Sequence, residues 1–219
     1  MEVVWVLEGV RGGRAQRVRQ VARRSGTRIR EVNRQTLDTL AADVAHNGFA
    51  ARLAPMALAR ADDLLDLPGR ACILALDSPE DGRNIGAAVR VAAGFSLTGV
   101  VVAGPHPPPL GGAVAKVAAG TLALVPLVHV ASLGDFARHA RDAGFWVLGA
   151  DTEGEPVDRW DLPERLVICI GREERGLRAK TRSALDGLVS IPLATGVESL
   201  NLAVAAGILA WEWRRRFPR

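Results

Sequence analysis

Residues 71–77 read ACILALD and residues 166–171 read LVICIG. Both are continuous apolar runs of strand length. They lack the alternation of a sheet with one wet face, so each predicts a strand buried on both sides. Working outward, IGAAVRVAAGF (85–95) predicts a small-residue helix, GVVVAG (99–104) a strand and AVAKVAAG (113–120) a helix. LALVPL (122–127) predicts a short strand, LGDFARHARDAG (133–144) an amphipathic helix and FWVLGA (145–150) another strand. Beyond LVICIG come LVSIPL (188–193), a further short strand, and LNLAVAAGILAWEWRRR (200–216), a closing helix. Apolar strands alternating with helices specify an α/β fold, a parallel sheet flanked by helices on both faces.

Upstream the pattern changes. The first sixty residues look helical and basic, with an apolar fringe at Val18, Val21, Ala22 and Ile29. HNGFAARLA (46–54) then reads as a strand. Residues 55–70 hold Pro55, Pro68 and Gly69 around an acidic run from Asp62 to Asp66, which reads as a linker. The chain thus divides into an accessory domain (1–54), a linker (55–70) and a main domain (71–219). The loop PHPPPLGG (105–112) is too rich in proline for regular structure.

The balance of 48% hydrophobic and 24% charged residues is that of a globular domain. The longest apolar stretches are strand-sized, so no membrane-spanning helix is expected. The start, MEVVW, has neither a basic region nor a cleavage site, which points to a cytoplasmic protein. Cys72 and Cys169 sit inside apolar runs without metal-ligand spacing, and the four histidines are scattered, so no metal site is expected. The net charge of +4 is unevenly spread: residues 1–60 carry eleven arginines against five acidic residues. Only Lys116 and Lys180 are lysines. Codon bias accounts for the choice of arginine better than for its clustering. A planar guanidinium matches phosphate and stacks on bases, so the segment reads as an RNA-contacting surface.

Neither G-x-G-x-x-G after the first strand nor a phosphate-binding G-x-x-x-x-G-K-[ST] occurs, which argues against dinucleotide and nucleotide-triphosphate sites. Three other turns carry polar residues. After ACILALD comes Asn84-Ile85-Gly86 and then Arg90, a lone charge among Ala87, Ala88, Val89, Ala92 and Ala93. Asn84 is a helix-cap candidate. After LVICIG comes Gly171-Arg172-Glu173-Glu174-Arg175-Gly176, which allows close backbone approach to a ligand and equally fits an exposed charged turn. The third is IPLATGVESLN (191–201), in which Ser199 is a helix-cap candidate.

In order, N-x-G-x-x-x-R, G-x-E-x-x-G and I-P-x-x-G-x-x-x-S-L-N-x-x-V-A resemble the three motifs of the SpoU/TrmH branch of SPOUT methyltransferases. The resemblance spans residues 71–216 and includes Val117-Ala118-Ala119-Gly120. VLEGVRGG (6–13) and HNGFAA (46–51) also resemble that family's accessory RNA-binding α/β domain, shortened here by a strand missing between Gly13 and the arginine-rich helix.

The resemblance implies a SPOUT-type sheet with a C-terminal deep trefoil knot and a homodimer that assembles each active site across its interface. It implies S-adenosylmethionine as cofactor, in a pocket lined by Ala150, Gly171, Gly176, Ile191, Leu193 and Leu200. It implies methylation of a ribose 2′-hydroxyl in RNA, with Arg90 as the catalytic residue and Asn84, Glu173, Ser199 and Asn201 positioning the RNA and Arg90. A guanidinium stays protonated in proteins, so Arg90 is expected to act as an electrostatic clamp on phosphate and developing alkoxide rather than as a base. Ribosomal RNA is favoured over transfer RNA. Methylation of a base nitrogen and a non-catalytic knotted RNA-binding dimer are the competing readings. The family usually has serine where this chain has Ala203.

Overall fold

The computed structural model describes residues 2–41, 45–172 and 175–218, and the chain forms two compact units, Met1–Met56 and Ala57–Arg219.

The first unit contains β1 (Val3–Leu7), α1 (Gly13–Arg24), β2 (Arg28–Val32), α2 (Arg34–Ala41) and β3 (Phe49–Arg52). The strands lie in the order β2-β1-β3, with β1 parallel to β2 and antiparallel to β3. The expectation of a mainly helical start is corrected by β1 and β2. The physical reason is shallow burial. In β1 Val4 and Val6 are buried in strict alternation with half-buried neighbours, a short strand outweighed by the arginine-rich sequence after it. RIREV places no residue of β2 in the core and so reads as basic surface. Ala15, Ala22 and Leu37 from the two helices complete this small core.

The second unit runs α3 (Asp62–Leu65), β4 (Ala71–Asp77), α4 (Gly82–Phe95), β5 (Gly99–Ala103), α5 (Gly112–Ala118), a 3-10 turn (Thr121–Ala123), β6 (Leu127–Val130) and α6 (Leu133–Asp142). It continues with β7 (Trp146–Pro156), β8 (Arg165–Ile170), α7 (Ala179–Arg182), β9 (Gly187–Ser190) and α8 (Leu202–Arg216). The sheet order is β6-β5-β4-β8-β7-β9, and every pairing is parallel. All of β4 and β5 is buried, as continuous apolar strands covered on both faces require. On one face Ile73, Val101, Phe136, Phe145, Val167 and Leu177 pack together.

Two expectations change here. LALVPL does not form the strand; its first residues belong to the 3-10 turn, and the strand starts at Leu127. The segment read as a linker is packed from Ala57 onward: Leu64 and Leu65 of α3 are buried in the core. Arg165 Nη1 donates to the carbonyls of Leu67 (2.7 Å) and Gly69 (3.0 Å), and its Nη2 to that of Leu65 (2.9 Å). These bonds satisfy a proline-bounded segment that has no ladder of its own.

The chain builds outward from β4 to β6, then crosses to β7 and returns to set β8 beside β4. The order of the sheet reverses between β4 and β8. The far end of α8 is pinned: Trp213 Nε1 donates to the Pro163 carbonyl at 3.0 Å, and Arg216 Nη2 to that of Val157 at 3.0 Å. Arg215, and after it Arg216, holds the Glu212 carboxyl below the ordinary glutamate range. Cys72 and Cys169 are buried free thiols whose pKa burial pushes up, which suits packing rather than reactivity. Among the described residues no helix is long and apolar enough to cross a membrane.

Candidate cofactor cavity and catalytic helix

The middle of β7, where its pairing with β9 shifts register, the C-terminal ends of β8 and β9 and the loop leading to α8 enclose a cavity of about 620 Å³. That lies within the roughly 300–1,000 Å³ range of small-molecule sites. Its wall holds Ala150, Gly171, Gly176, Ile191, Leu193 and Leu200, so six residues from four separate stretches of sequence come together at one place. Ser199 lies on the same wall.

Backbone closeness shapes this wall. A Cβ on Gly171 would lie 2.2 Å from the Gly176 carbonyl carbon and 2.4 Å from the Leu177 nitrogen, so no side chain fits there. The approach comes from a tight loop: Arg172 N–H donates to the Gly176 carbonyl at 3.1 Å, and Gly176 N–H returns a bond to that of Arg172 at 2.9 Å. Gly176 adopts φ +59°, a left-handed conformation that glycine takes without steric cost. Glu173 lies outside the described residues.

Asp77 fastens the loop from behind. It ends β4 at 2% exposure, and its Oδ2 accepts bonds from Arg178 N–H (3.0 Å) and the Thr181 hydroxyl (2.8 Å). A buried carboxylate needs such partners, and here they fix the segment beyond Gly176. Across the cavity, Asp151 is held by Arg182 at 2.8 Å. Arg172 bonds Glu80 at 3.2 Å, while its buried Nε has no hydrogen-bond partner among the described residues. Ile191, Leu193, Leu200 and Leu202 supply apolar surface, and Asp151, Thr152, Glu198 and Ser199 supply polar groups. This mixture fits a flat aromatic ring joined to a polar amino-acid end, as in S-adenosylmethionine. Among the described residues no three His, Cys, Asp or Glu side chains are placed to hold a metal ion.

The predicted catalytic residues divide. Asn201 Nδ2 donates to Asn84 Oδ1 at 3.3 Å, joining the starts of α8 and α4. Both cap expectations are corrected. Asn201 rather than Ser199 caps α8, accepting from Ala203 N–H at 2.9 Å, because Ser199 lies two residues too early. Asp81 rather than Asn84 caps α4, which starts at Gly82, so Asn84 sits inside its first turn. Arg90 lies further along α4 on its exposed side, outside the cavity wall, and makes no ion pair among the described residues. Ala203 lies just past the cap and is half-buried.

Sequence reasoning missed Asp77, Asp151, Arg172 and Arg182. A signal existed for Asp77, the sole charge in a wholly apolar central strand. None existed for the Asp151–Arg182 pair, whose partners lie 31 positions apart and meet only through the fold.

The profile of the SpoU rRNA Methylase family matches residues 71–211, and that of the RNA 2′-O ribose methyltransferase substrate binding family matches residues 1–58. The 23S rRNA (guanosine-2′-O-)-methyltransferase RlmB of Xanthomonas campestris pv. campestris is 36% identical over 214 residues, 95% of this chain and 86% of the relative. The SpoU methyltransferase AviRb of Streptomyces viridochromogenes, solved in complex with AdoMet, has a similar structure. Its TM-score is 0.78 at 24% identity, over 98% of this chain and 82% of the other. An AdoMet-bound rRNA methyltransferase from Sinorhizobium meliloti matches with a TM-score of 0.77 at 23% identity, over 100% of this chain and 81% of the other. At these identities the two solved structures establish likeness of fold.

Proposed function

The chain belongs to the SpoU rRNA methylase family, and from that premise we propose that it methylates a ribose 2′-hydroxyl of RNA, with ribosomal RNA as substrate, using S-adenosylmethionine. The observation that carries this reading is the convergence of Ala150, Gly171, Gly176, Ile191, Leu193 and Leu200 on one cavity. The 23S rRNA methyltransferase relative at 36% identity favours ribosomal over transfer RNA.

When bound, S-adenosylmethionine supplies an electrophilic methyl group. The residues of the chain do the rest. Gly171 and Gly176 bring backbone against the ligand, and Ile191, Leu193 and Leu200 exclude water from it. The Asn84–Asn201 bond fixes α4 relative to the cavity rim, and Ser199 and Glu173 help to position the RNA. Arg90 holds the phosphate of the target nucleotide and stabilises the negative charge that develops on the 2′-oxygen. Its guanidinium stays protonated, so the hydroxyl proton passes to a phosphate oxygen or to water.

The site is completed across a homodimer. Support comes from α8, where Val204, Ile208 and Trp211 form an apolar stripe at helical spacing and are 50%, 36% and 54% exposed. The Trp211 ring meets Phe95 of α4 at 5.9 Å between centroids, so the stripe continues onto the helix that carries Arg90. A second copy covering this face would bring its own Arg90 toward the first copy's cavity. The two loops that line the cavity, after β8 and after β9, form the threading region of a trefoil knot. The cytoplasm, where ribosomal RNA is made and used, is the setting for this activity.

The test is product analysis. The protein is incubated with methyl-labelled S-adenosylmethionine and ribosomal RNA, the RNA is digested with nuclease P1 and phosphatase, and the nucleosides are identified by mass spectrometry. A labelled 2′-O-methylnucleoside is expected. A base-methylated nucleoside, or an absence of label together with failure to bind the cofactor at millimolar concentration, contradicts the reading.

A further inference from the structure

The three strands of the first unit have two unlike faces. Register places Val4 and Val6 of β1 beside Ile29 and Glu31 of β2 on the face that packs against α1. Glu31 is the one acidic residue in these strands, and it is neutralised there by Arg19 of α1 at 2.8 Å. The opposite face carries Val3, Trp5 and Leu7 from β1, Arg28, Arg30 and Val32 from β2, and Ala50 and Arg52 from β3. Its polar content is arginine alone.

Arg28 and Arg52 flank Val3 on its two sides, and Arg30 flanks Trp5. All three arginines are exposed, and none has an ion pair among the described residues. Arg28 and Arg30 stand roughly 6.6 Å apart along β2, and Arg52 lies two strand spacings, about 9.5 Å, from Arg28. The Arg52 guanidinium sits over the half-buried Trp5 ring, 5.5 Å from its centroid. Three unneutralised planar cations around an indole form a surface of one charge sign with a flat stacking element. A duplex shows a protein its phosphates and groove edges, whereas an unpaired strand also offers base faces for stacking.

We propose that this face binds a single-stranded segment of the RNA substrate, with a base stacked on the Trp5–Arg52 pair and phosphates held by Arg28 and Arg30. The proposal rests on the RNA-methylating function stated above and assigns the surface and the form of RNA that the first unit recognises. The unpaired stretch is anchored on this sheet face, while the target ribose is handled at the cavity and Arg90.

The experiment measures binding of the full chain to a 12-nucleotide single-stranded RNA and to the duplex of the same sequence, across a salt series. Replacing Arg28, Arg30 and Arg52 together by glutamine is expected to weaken single-strand binding. It should also flatten the plot of log K against log salt by about 2, three contacts at roughly 0.7 each. Trp5→Ala is expected to weaken binding ~5- to 150-fold with the salt slope unchanged, the size of one lost base stack. Trp5→Phe should recover most of that loss. The matched triple glutamine variant at Arg14, Arg17 and Arg24, exposed residues of α1, should bind as the unaltered chain does. The proposal is overturned if the sheet triple variant binds normally, if the α1 variant takes the loss, or if duplex binding suffers as much as single-strand binding. Methyl transfer assayed on the same preparations separates the two claims. An unaltered chain that methylates RNA beside a sheet variant with normal binding overturns this face alone. An unaltered chain that labels no ribose fails the functional reading.

Discussion

The cavity wall and the face of α4 that carries Arg90 are built in opposite ways. The wall is closed within one chain: Gly171 is pressed against Gly176, the loop between them is clasped by two backbone bonds, and Asp77 fastens the segment from Arg178 to Thr181. The Arg90 face is open, with an exposed guanidinium beside an apolar stripe that lacks a cover in the single chain. On the proposed function, binding the methyl donor and transferring the methyl group are separable properties. In that proposal the first depends on backbone packing inside one chain, and the second on Arg90, RNA and a second copy.

The largest effect is expected from Arg90→Ala. If Arg90 holds its proposed role of stabilising the developing alkoxide, its loss should lower single-turnover methylation by ~10²- to 10³-fold. Cofactor affinity, measured by calorimetry, should stay within about twofold, since Arg90 is not on the wall. Equal losses in both would erase the distinction between the two regions. Gly171→Val approaches the same divide from the other side. Overpacking costs about 1–3 kcal/mol, so cofactor binding should weaken ~5- to 150-fold. RNA binding should be retained, and parallel loss of both would point to general unfolding.

Depth of burial also decides how much of the fold and the site was legible in the sequence. Continuous burial writes itself plainly, so ACILALD and LVICIG disclosed the central strands. The cavity-wall residues came instead from the resemblance to the SpoU/TrmH motifs, since the glycine turn alone reads equally as an exposed charged turn. Partial burial is less plain: RIREV is an edge strand of a thin sheet and its composition reads as basic surface, while VVWVL is an apolar strand signal that the surrounding arginines obscured. Caps were misplaced by two or three residues because Ser199 and Asn84 are as good chemically as Asn201 and Asp81, and only backbone angles choose between them. Tertiary anchors such as Arg165 against the carbonyls of Leu65, Leu67 and Gly69 leave no local mark, which is why a packed segment read as a linker.

Asp77 tests whether the wall is held from behind. Asp77→Ala leaves the Arg178 N–H and Thr181 hydroxyl without their acceptor, at about 1–3 kcal/mol. Cofactor affinity should fall by up to ~5- to 150-fold, and thermal denaturation should move to lower temperature. Asp77→Asn keeps one acceptor oxygen and should recover part of the affinity. If the alanine variant binds cofactor normally, Asp77 supports the core and not the wall. The smallest effect is expected from Ala203→Ser. A hydroxyl added beside the α8 cap contributes about 1 kcal/mol at most, so methylation kinetics should change by less than about fivefold. A larger gain would show that the wall and the catalytic helix are coupled through the Asn84–Asn201 contact.

Calorimetric titration of S-adenosylmethionine into the unaltered chain, Arg90→Ala and Gly171→Val sets the closed wall against the open helix face in a single experiment. Saturable binding by the unaltered chain is expected, with the same affinity for Arg90→Ala and strongly weakened binding for Gly171→Val. Loss of binding in Arg90→Ala with retention in Gly171→Val would contradict the separation of donor binding from methyl transfer.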